Sequence, residues 1–331
     1  MTTISVVGAG AWGTALAQML AGDGPTGDVL LWALEEDLVA EINSSNRNSL
    51  YLPSAELAPS IRATSDIAEA AACDIVLMVT PAQHMGRVLE SFPAFPRDLV
   101  LCNKGIEAGT GRLMSEVARD AAPDSDVAVL SGPTFAHEVA EGLPTAVTLA
   151  CGGGEAQWER ISNAIARPAF RPYFSDDLIG AEIGGAVKNV LAIACGVVDG
   201  LGMGQNARAA LIARGYAEMQ RFGEALGARR ETLSGLCGLG DLVLTCSSTS
   251  SRNFSLGKAL GEGRSPEELM ANRSTVAEGA HTAPVLAGKA ASLGIAMPIT
   301  HAVNGLLQGA PVDGVVAALL NRPLRAEGSD A

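Results

Sequence analysis

The amino-acid sequence predicts an α/β protein: a largely parallel sheet flanked by helices, followed by an all-α domain. Three observations carry this. Short apolar runs rich in β-branched residues alternate with helical patterns from Ile4 to about residue 175. The first run, Ile4-Ser5-Val6-Val7, leads directly into the glycine-rich Gly8-Ala9-Gly10-Ala11-Trp12-Gly13. From Leu178 the strand signal stops and helical patterns take over. Alternating β and α segments imply parallel strands with helices on both faces, and 331 residues suffice for two domains. The boundaries read from these patterns are 1–180 for the first domain, 181–324 for the second, and 325–331 for a disordered tail.

The first unit is strand, glycine-rich turn, helix and strand within about 30 residues, the context that makes G-x-G-x-x-G a dinucleotide-binding fingerprint. After the turn, Thr14 to Leu20 are strong helix formers, and Asp28 to Ala33 read as the second strand. Gly8 allows the tight turn, Gly10 lets backbone N–H groups approach a pyrophosphate, and Gly13 permits close helix–strand packing. The helix N-terminus, with Ala11 and Trp12, adds a favourable dipole for the phosphates. These features predict a Rossmann-like domain with Gly8, Gly10, Ala11 and Gly13 at the cofactor. The second strand ends in Leu34-Glu35-Glu36-Asp37. An acid such as Glu35 hydrogen-bonds an adenosine ribose and repels a 2′-phosphate, which favours NAD over NADP. The same acids also suit the start of a helix.

Asn43 to Pro59 read as a polar loop with prolines. Further strands are expected at Ile61 to Ala63, Asp74 to Thr80, Asp98 to Cys102, Val127 to Ser131, Thr145 to Ala150 and Phe170 to Phe174. Helices are expected at Met85 to Ser91, Leu113 to Ala121 and Ala156 to Ala166. The second half reads as helices at Leu178 to Val198, Ala207 to Leu226, Thr232 to Leu244, Pro266 to Ala271, Ala283 to Leu293, Ile299 to Leu307 and Val312 to Leu320.

Composition narrows the function classes. Net charge is −13, which argues against a nucleic-acid surface, where a basic face is needed. An anionic small molecule needs only a few placed cations and stays open. The six cysteines show no C-x-x-C pair or ligand spacing with histidine, so reduced, mostly buried thiols and no metal site are expected. The N-terminus lacks the basic n-region of a secretory signal, and no uncharged apolar run of membrane-spanning length occurs, so a cytoplasmic protein without a membrane span is expected.

Five stretches could carry chemistry. Lys188 lies in Glu182-Ile183-Gly184-Gly185-Ala186-Val187-Lys188-Asn189, inside an apolar helical run. A buried charge must be paired or used, and the two glycines suggest either room for a ligand or a tight helix crossing beside a snorkelling lysine. Lys104 follows a strand, where α/β sheets bind ligands, or sits on a surface loop. Ser131-Gly132-Pro133-Thr134-Phe135-Ala136 follows another strand. Gly238-Leu239-Gly240-Asp241 places an acid after two glycines, with Thr245 one turn later. Ser250-Ser251-Arg252-Asn253 could grip a phosphate through forked hydrogen bonds or cap a helix. His84, His137, His281 and His301 form no catalytic spacing with Ser or Asp.

Taken in order, these stretches resemble the soluble NAD(P)-dependent glycerol-3-phosphate dehydrogenase family. The match runs from residue 4 to about 308 and also includes Tyr51-Leu52-Pro53, Asn103-Lys104-Gly105-Ile106-Glu107, Asn206-Ala207-Arg208-Ala209-Ala210-Leu211 and Ala277-Glu278-Gly279. The resemblance implies interconversion of dihydroxyacetone phosphate and sn-glycerol 3-phosphate with NAD or NADP, for glycerophospholipid synthesis. It implies Lys188 as acid/base, and Lys104, Gly132, Thr134, Lys188, Asn189, Asp241, Ser251, Arg252 and Asn253 at the substrate. Trp12, Lys104, Ala136, Arg252, Val276 and Glu278 are implied at the cofactor. A homodimer is the expected assembly. The chain departs from the family in Leu34, where bacterial relatives often carry Arg or His, in Met203-Gly204-Gln205-Asn206, and in Arg208 for Lys. A β-hydroxyacid or ketopantoate reductase-type dehydrogenase would share the fingerprint and a lysine but not the Gly-Leu-Gly-Asp and Ser-Arg-Asn pieces. A non-catalytic nicotinamide sensor would have no use for Lys188.

Overall fold

The computed structural model describes residues 2–22, 28–271 and 277–324. The expected tail at 325–331 and Val276 therefore lie outside the described residues. The chain separates into two compact units, the first being 1–104 with 112–181 and the second 105–111 with 182–331.

The first unit is an eight-stranded sheet: β1 (Ile4–Val7), β2 (Val29–Trp32), β3 (Ile61–Thr64), β4 (Ile75–Met78), β5 (Asp98–Leu101), β6 (Asp126–Ser131), β7 (Thr145–Cys151) and β8 (Phe170–Ser175). Its helices are α1 (Ala11–Leu20), α2 (Glu36–Ser45), α3 (Ile67–Ala71), α4 (Ala82–Glu90), α5 (Met114–Ala121), α6 (Ala136–Ala140) and α7 (Gly154–Ile165). Spatial strand order is β3-β2-β1-β4-β5-β6-β7-β8. All neighbours are parallel except β6 and β7, which pair antiparallel through Ala128↔Cys151 to Ser131↔Thr148. Order reverses at β1, which pairs β2 on one side and β4 on the other. In β1, β2 and β4 every residue is buried, as expected of strands covered on both faces. One face of the core is built from Val6, Leu31, Leu77, Val100, Leu130 and Leu149, one from each of six strands, with Leu16 and Leu20 of α1.

All eight expected strands form, most within one or two residues of the expected ends. The expected loop from Asn43 starts later, because α2 runs to Ser45 and closes at Asn46, a left-handed cap (φ 52°) that asparagine tolerates.

The second unit contains helices and no sheet among its described residues: α8 (Leu178–Gly200, beginning in the first unit), α9 (Gly204–Ala225), α10 (Arg230–Ser234), α11 (Asp241–Thr245), α12 (Arg252–Gly261), α13 (Pro266–Ala271), α14 (Glu278–Ser292), α15 (Pro298–Leu307) and α16 (Val312–Leu320). The single helix expected from Thr232 to Leu244 is instead α10, a π-helical turn at Leu236–Gly240, and α11. Glycines 235, 238 and 240 explain the break, since each weakens regular helix. α8 is long and apolar enough to cross a membrane, yet 94% of its apolar window is buried in the protein. It is a core helix.

Backbone-to-backbone contact fixes α12 on α8. A Cβ at Gly196 would lie 2.0 Å from Phe254 O, and one at Gly200 2.3 Å from Lys258 O. Reciprocally, a Cβ at Gly257 would lie 1.9 Å from Ile193 O, and one at Gly261 2.4 Å from Val197 O. Two glycines four residues apart on each helix thus form one crossing.

Candidate active site

The fingerprint residues in the first unit have distinct geometric roles. Gly8 has φ +119°, a region that favours glycine, and a Cβ there would press on the backbone of Val79 and Thr80 at about 3.0 Å. A Cβ on Gly13 would sit 1.8 Å from Gly8 O, so α1 packs on the turn only because that side chain is missing. Gly10 faces open space, with nothing within 4 Å of a built Cβ. That is the approach a pyrophosphate needs, and α1 starts at the next residue. Trp12 Nε1, Asn103 Oδ1 and Ser131 Oγ are buried polar atoms with no hydrogen-bond partner among the described residues. Trp12 lies in the first turn of α1, and Asn103 and Ser131 lie at the carboxyl ends of β5 and β6. Buried polar atoms are normally satisfied, so these three fit a unit that holds a polar ligand at that end of its sheet.

Glu35 follows β2 at the N-cap position of α2, with Glu36 and Asp37 in its first turn. Both expected roles of this acidic run are therefore compatible. Tyr51 Oη donates to Glu35 Oε1 at 3.4 Å. Burial, and then the charge of Glu35, push the Tyr51 hydroxyl above its ordinary pKa. Lys104 follows β5 and donates from Nζ to Gly132 O at 3.2 Å. Thr134 Oγ1 donates to the same carbonyl at 3.4 Å. A Cβ at Gly132 would lie 2.9 Å from Val147 Cα, so this glycine serves the β6–β7 packing. Ala136 begins α6. The structure thus gathers Lys104, Gly132 and Thr134 at one carbonyl.

In the second unit, Lys188 sits mid-helix in α8 and is 6% exposed, which excludes a snorkelling lysine. Its Nζ donates to Asp241 Oδ1 at 2.6 Å and to Thr245 Oγ1 at 2.9 Å. Thr245 Oγ1 donates in turn to Asp241 Oδ1 at 3.2 Å. Asp241 is fully buried, so the ion pair compensates a charge that would otherwise be costly to bury. Gly184 does not make room for a ligand. A Cβ there would lie 2.3 Å from Cys237 O, so the glycine lets α8 touch the π-helical turn that carries the chain into Asp241.

Ser251 is the N-cap of α12, its Oγ accepting from Phe254 N–H at 3.2 Å. The helix-capping alternative therefore holds for Ser251. Arg252, the first helical residue, is exposed. Asn253 is buried and bonded to Asn189. Glu278 is the first residue of α14.

Thr245 completes the lysine network, signalled in the sequence only by its position one turn after Asp241. The α8–α12 crossing was unforeseen, although Gly196/Gly200 and Gly257/Gly261 share a four-residue spacing that would have shown it. Five of the cysteines are buried and all six are free thiols. Burial pushes the Cys151 thiol up to about 12 and holds Cys246, beside Cys195, far above its ordinary value. No cluster of three or more His, Cys, Asp or Glu suited to a metal occurs among the described residues.

Comparison with known proteins places the chain in a family. Residues 3–157 match the family profile of the NAD-dependent glycerol-3-phosphate dehydrogenase N-terminus, and residues 177–316 that of its C-terminus. The chain is 71% identical over 324 residues to glycerol-3-phosphate dehydrogenase [NAD(P)+] of Erythrobacter litoralis, covering 98% of this chain and 97% of that one. It is 70% identical over 325 residues to the protein of the same name in Novosphingobium aromaticivorans, covering 98% of each. The crystal structure of glycerol-3-phosphate dehydrogenase from Coxiella burnetii superposes with a TM-score of 0.90 at 39% identity, covering 97% of this chain and 99% of that one. With both halves matched, in order and almost end to end, the chain belongs to the NAD-dependent glycerol-3-phosphate dehydrogenase family.

Proposed function

We infer that this chain is an NAD(P)-dependent sn-glycerol-3-phosphate dehydrogenase that interconverts dihydroxyacetone phosphate and sn-glycerol 3-phosphate, supplying glycerophospholipid synthesis. The observation that carries the reading is Lys188, a buried ammonium held by Asp241 and Thr245 in a chain with full-length kinship to that family. The reduced nicotinamide, when bound, supplies the hydride. Lys188 then donates its proton to the substrate oxygen as negative charge grows there, and the ammonium stabilises that charge before transfer. Asp241 pairs with the lysine and aims it, and the Thr245 hydroxyl fixes the second donor direction. In the reverse direction the same lysine, neutral, takes the hydroxyl proton.

Binding is divided among the remaining residues. Gly8 and Gly13 shape the turn on which Gly10, Ala11 and Trp12 offer backbone N–H groups, with the α1 dipole, to the pyrophosphate. Glu35 accepts from the adenosine ribose, so NAD is the preferred cofactor. Lys104, Ala136, Arg252, Val276 and Glu278 complete the cofactor contacts. Lys104, Gly132, Thr134, Asn189, Asp241, Ser251, Arg252 and Asn253 are assigned to the substrate, the exposed guanidinium of Arg252 to its phosphate. No metal is required by this chemistry. The protein acts in the cytoplasm, as a homodimer. Helix α16 supports the dimer, because its apolar sequence Val312–Leu320 has no buried residue and Leu320 is 71% exposed.

The test is oxidation of NADH and NADPH by purified protein with dihydroxyacetone phosphate, against unphosphorylated dihydroxyacetone. Turnover dependent on the phosphorylated ketone is expected. Turnover confined to a hydroxyacid pair would return the chain to the ketopantoate reductase-type reading.

A further inference from the structure

Three functional positions assigned above in the second unit are each followed by a residue drawn into one hydrogen-bonded point. Asn189 follows Lys188, Asn253 follows Arg252, and Gly279 follows Glu278. Asn253 Nδ2 donates to Asn189 Oδ1 at 2.9 Å, and Asn253 Oδ1 accepts from Gly279 N–H at 2.9 Å. Both asparagines are buried, at 4% and 8% exposure. The first N–H groups of a helix need partners from outside it. α14 has Ala277 at its N-cap and no side-chain cap, so Asn253 supplies from α12 the acceptor that α14 lacks. The approach is also steric. A Cβ on Gly279 would lie 2.5 Å from Asn189 O and 2.8 Å from Asn253 Oδ1.

We propose that Asn189, Asn253 and Gly279 form a positioning tie that fixes the acid/base lysine, the phosphate-gripping arginine and the cofactor-contacting glutamate relative to one another. Each of these side chains leaves from α8, α12 or α14, one residue before the tie. The tie therefore acts on the first turns of α12 and α14, where a small shift moves Arg252 and Glu278 directly. The α8–α12 glycine crossing holds the helix bodies, and the tie sets their ends. The proposal rests on the roles given above to Lys188, Arg252 and Glu278.

Gly279→Ala is the sharpest test. A displacement near 1 Å costs about 100-fold in rate when it disturbs reacting geometry, so a loss of that order in kcat/KM is expected. Asn189→Ala removes one hydrogen bond of the tie, worth about fivefold, and Asn253→Ala removes two. The decisive readout is the NADH dissociation constant without substrate, followed by fluorescence. Asn189→Ala should weaken it, although Asn189 is assigned no cofactor contact, because the tie reaches Glu278. The double variant Asn189→Ala/Asn253→Ala should lose no more than the worse single variant, since both cut one unit. This cycle stays readable even if Gly279→Ala does not fold. An unchanged NADH constant in Asn189→Ala, or losses that multiply in the double variant, would overturn the tie. Lys188→Ala, run alongside, separates the two readings. Normal turnover there rejects the active-site assignment, whereas an inactive Lys188→Ala beside uncoupled asparagine variants rejects only the tie.

Discussion

A lysine and an aspartate buried together define a high-stakes pair. Removing one partner leaves the other charge uncompensated, which typically costs about 3–5 kcal/mol. Lys188→Ala should therefore lower kcat at least about 100-fold, the low end for a lost general acid, and also lower thermal stability. Lys188→Ala/Asp241→Asn should recover much of the stability and none of the activity. If stability and activity return together, Lys188 is a structural counterion and not the acid. Lys188 stood out in the sequence because a charge in an apolar run demands an explanation. Asp241 stood out separately, as an acid after two glycines, although 53 residues separate the two and only the fold brings them into contact. Glu35 is proposed on local grounds instead, because the fingerprint points to the strand end expected near the ribose. One like-charge contact at about 4 Å and an effective dielectric of 20 is worth about 4 kcal/mol before screening. A fraction of that gives tenfold discrimination, since about 1.4 kcal/mol is a factor of ten. NADH should be favoured over NADPH by kcat/KM, and Leu34→Arg with Glu35→Ser should narrow or reverse the preference. Equal efficiency with both cofactors in the parent protein would remove Glu35 from this role.

Glycines set the geometry of the second unit's elements, and single-sequence reading weighs them poorly. A glycine in a helix looks like a cost of about 1 kcal/mol against alanine, whereas here several permit contacts no other residue allows. The expected helix from Thr232 to Leu244 failed for this reason. A Cβ at Gly238 would lie 1.9 Å from Leu233 O, and the local path becomes a π-helical turn leading into Asp241. Such turns recur at functional sites. Two substitutions distinguish packing glycines from merely permissive ones. Gly257→Ala would place its Cβ 1.9 Å from Ile193 O and force α12 off α8. It should destabilise by about 1–3 kcal/mol, as overpacked sites do. Gly288→Ala lies on an exposed face of α14 with nothing within 4 Å, and should stabilise by about 0.4–1 kcal/mol. Denaturant unfolding of both reads the signs. A Gly257→Ala protein more stable than its parent would mean the helices do not cross as described.

Across the whole molecule, what was legible followed from period and punctuation. Apolar runs between turn residues gave the strands, and the fingerprint gave the tight turn from β1 into α1. What stayed hidden is long-range. The antiparallel pairing of β6 with β7 leaves no local trace, and neither does Glu218. This residue of α9 is 1% exposed and accepts from Ile299 N–H at 2.6 Å and from Thr300 N–H and Oγ1 at 3.1 Å, capping α15 from another helix. Burial raises its pKa from 4.5 to about 7, against the lowering effect of those donors and of Arg221. The sign follows from linkage. Between pH 4.5 and 7 the folded chain binds this proton and the unfolded chain releases it, so the contribution of Glu218 to stability falls as pH rises through that window and is level above it. The full swing is at most about 3 kcal/mol at 1.36 kcal/mol per pH unit. Glu218→Gln cannot titrate, so it cancels every other carboxylate when compared with the parent. Urea unfolding of the two proteins across the window should show the parent gaining on the variant as pH is lowered from 7.5 to 5, by about 1–3 kcal/mol. A stability difference that stays constant over that range would mean Glu218 is ionised throughout, with the N–H donors of α15 outweighing its burial.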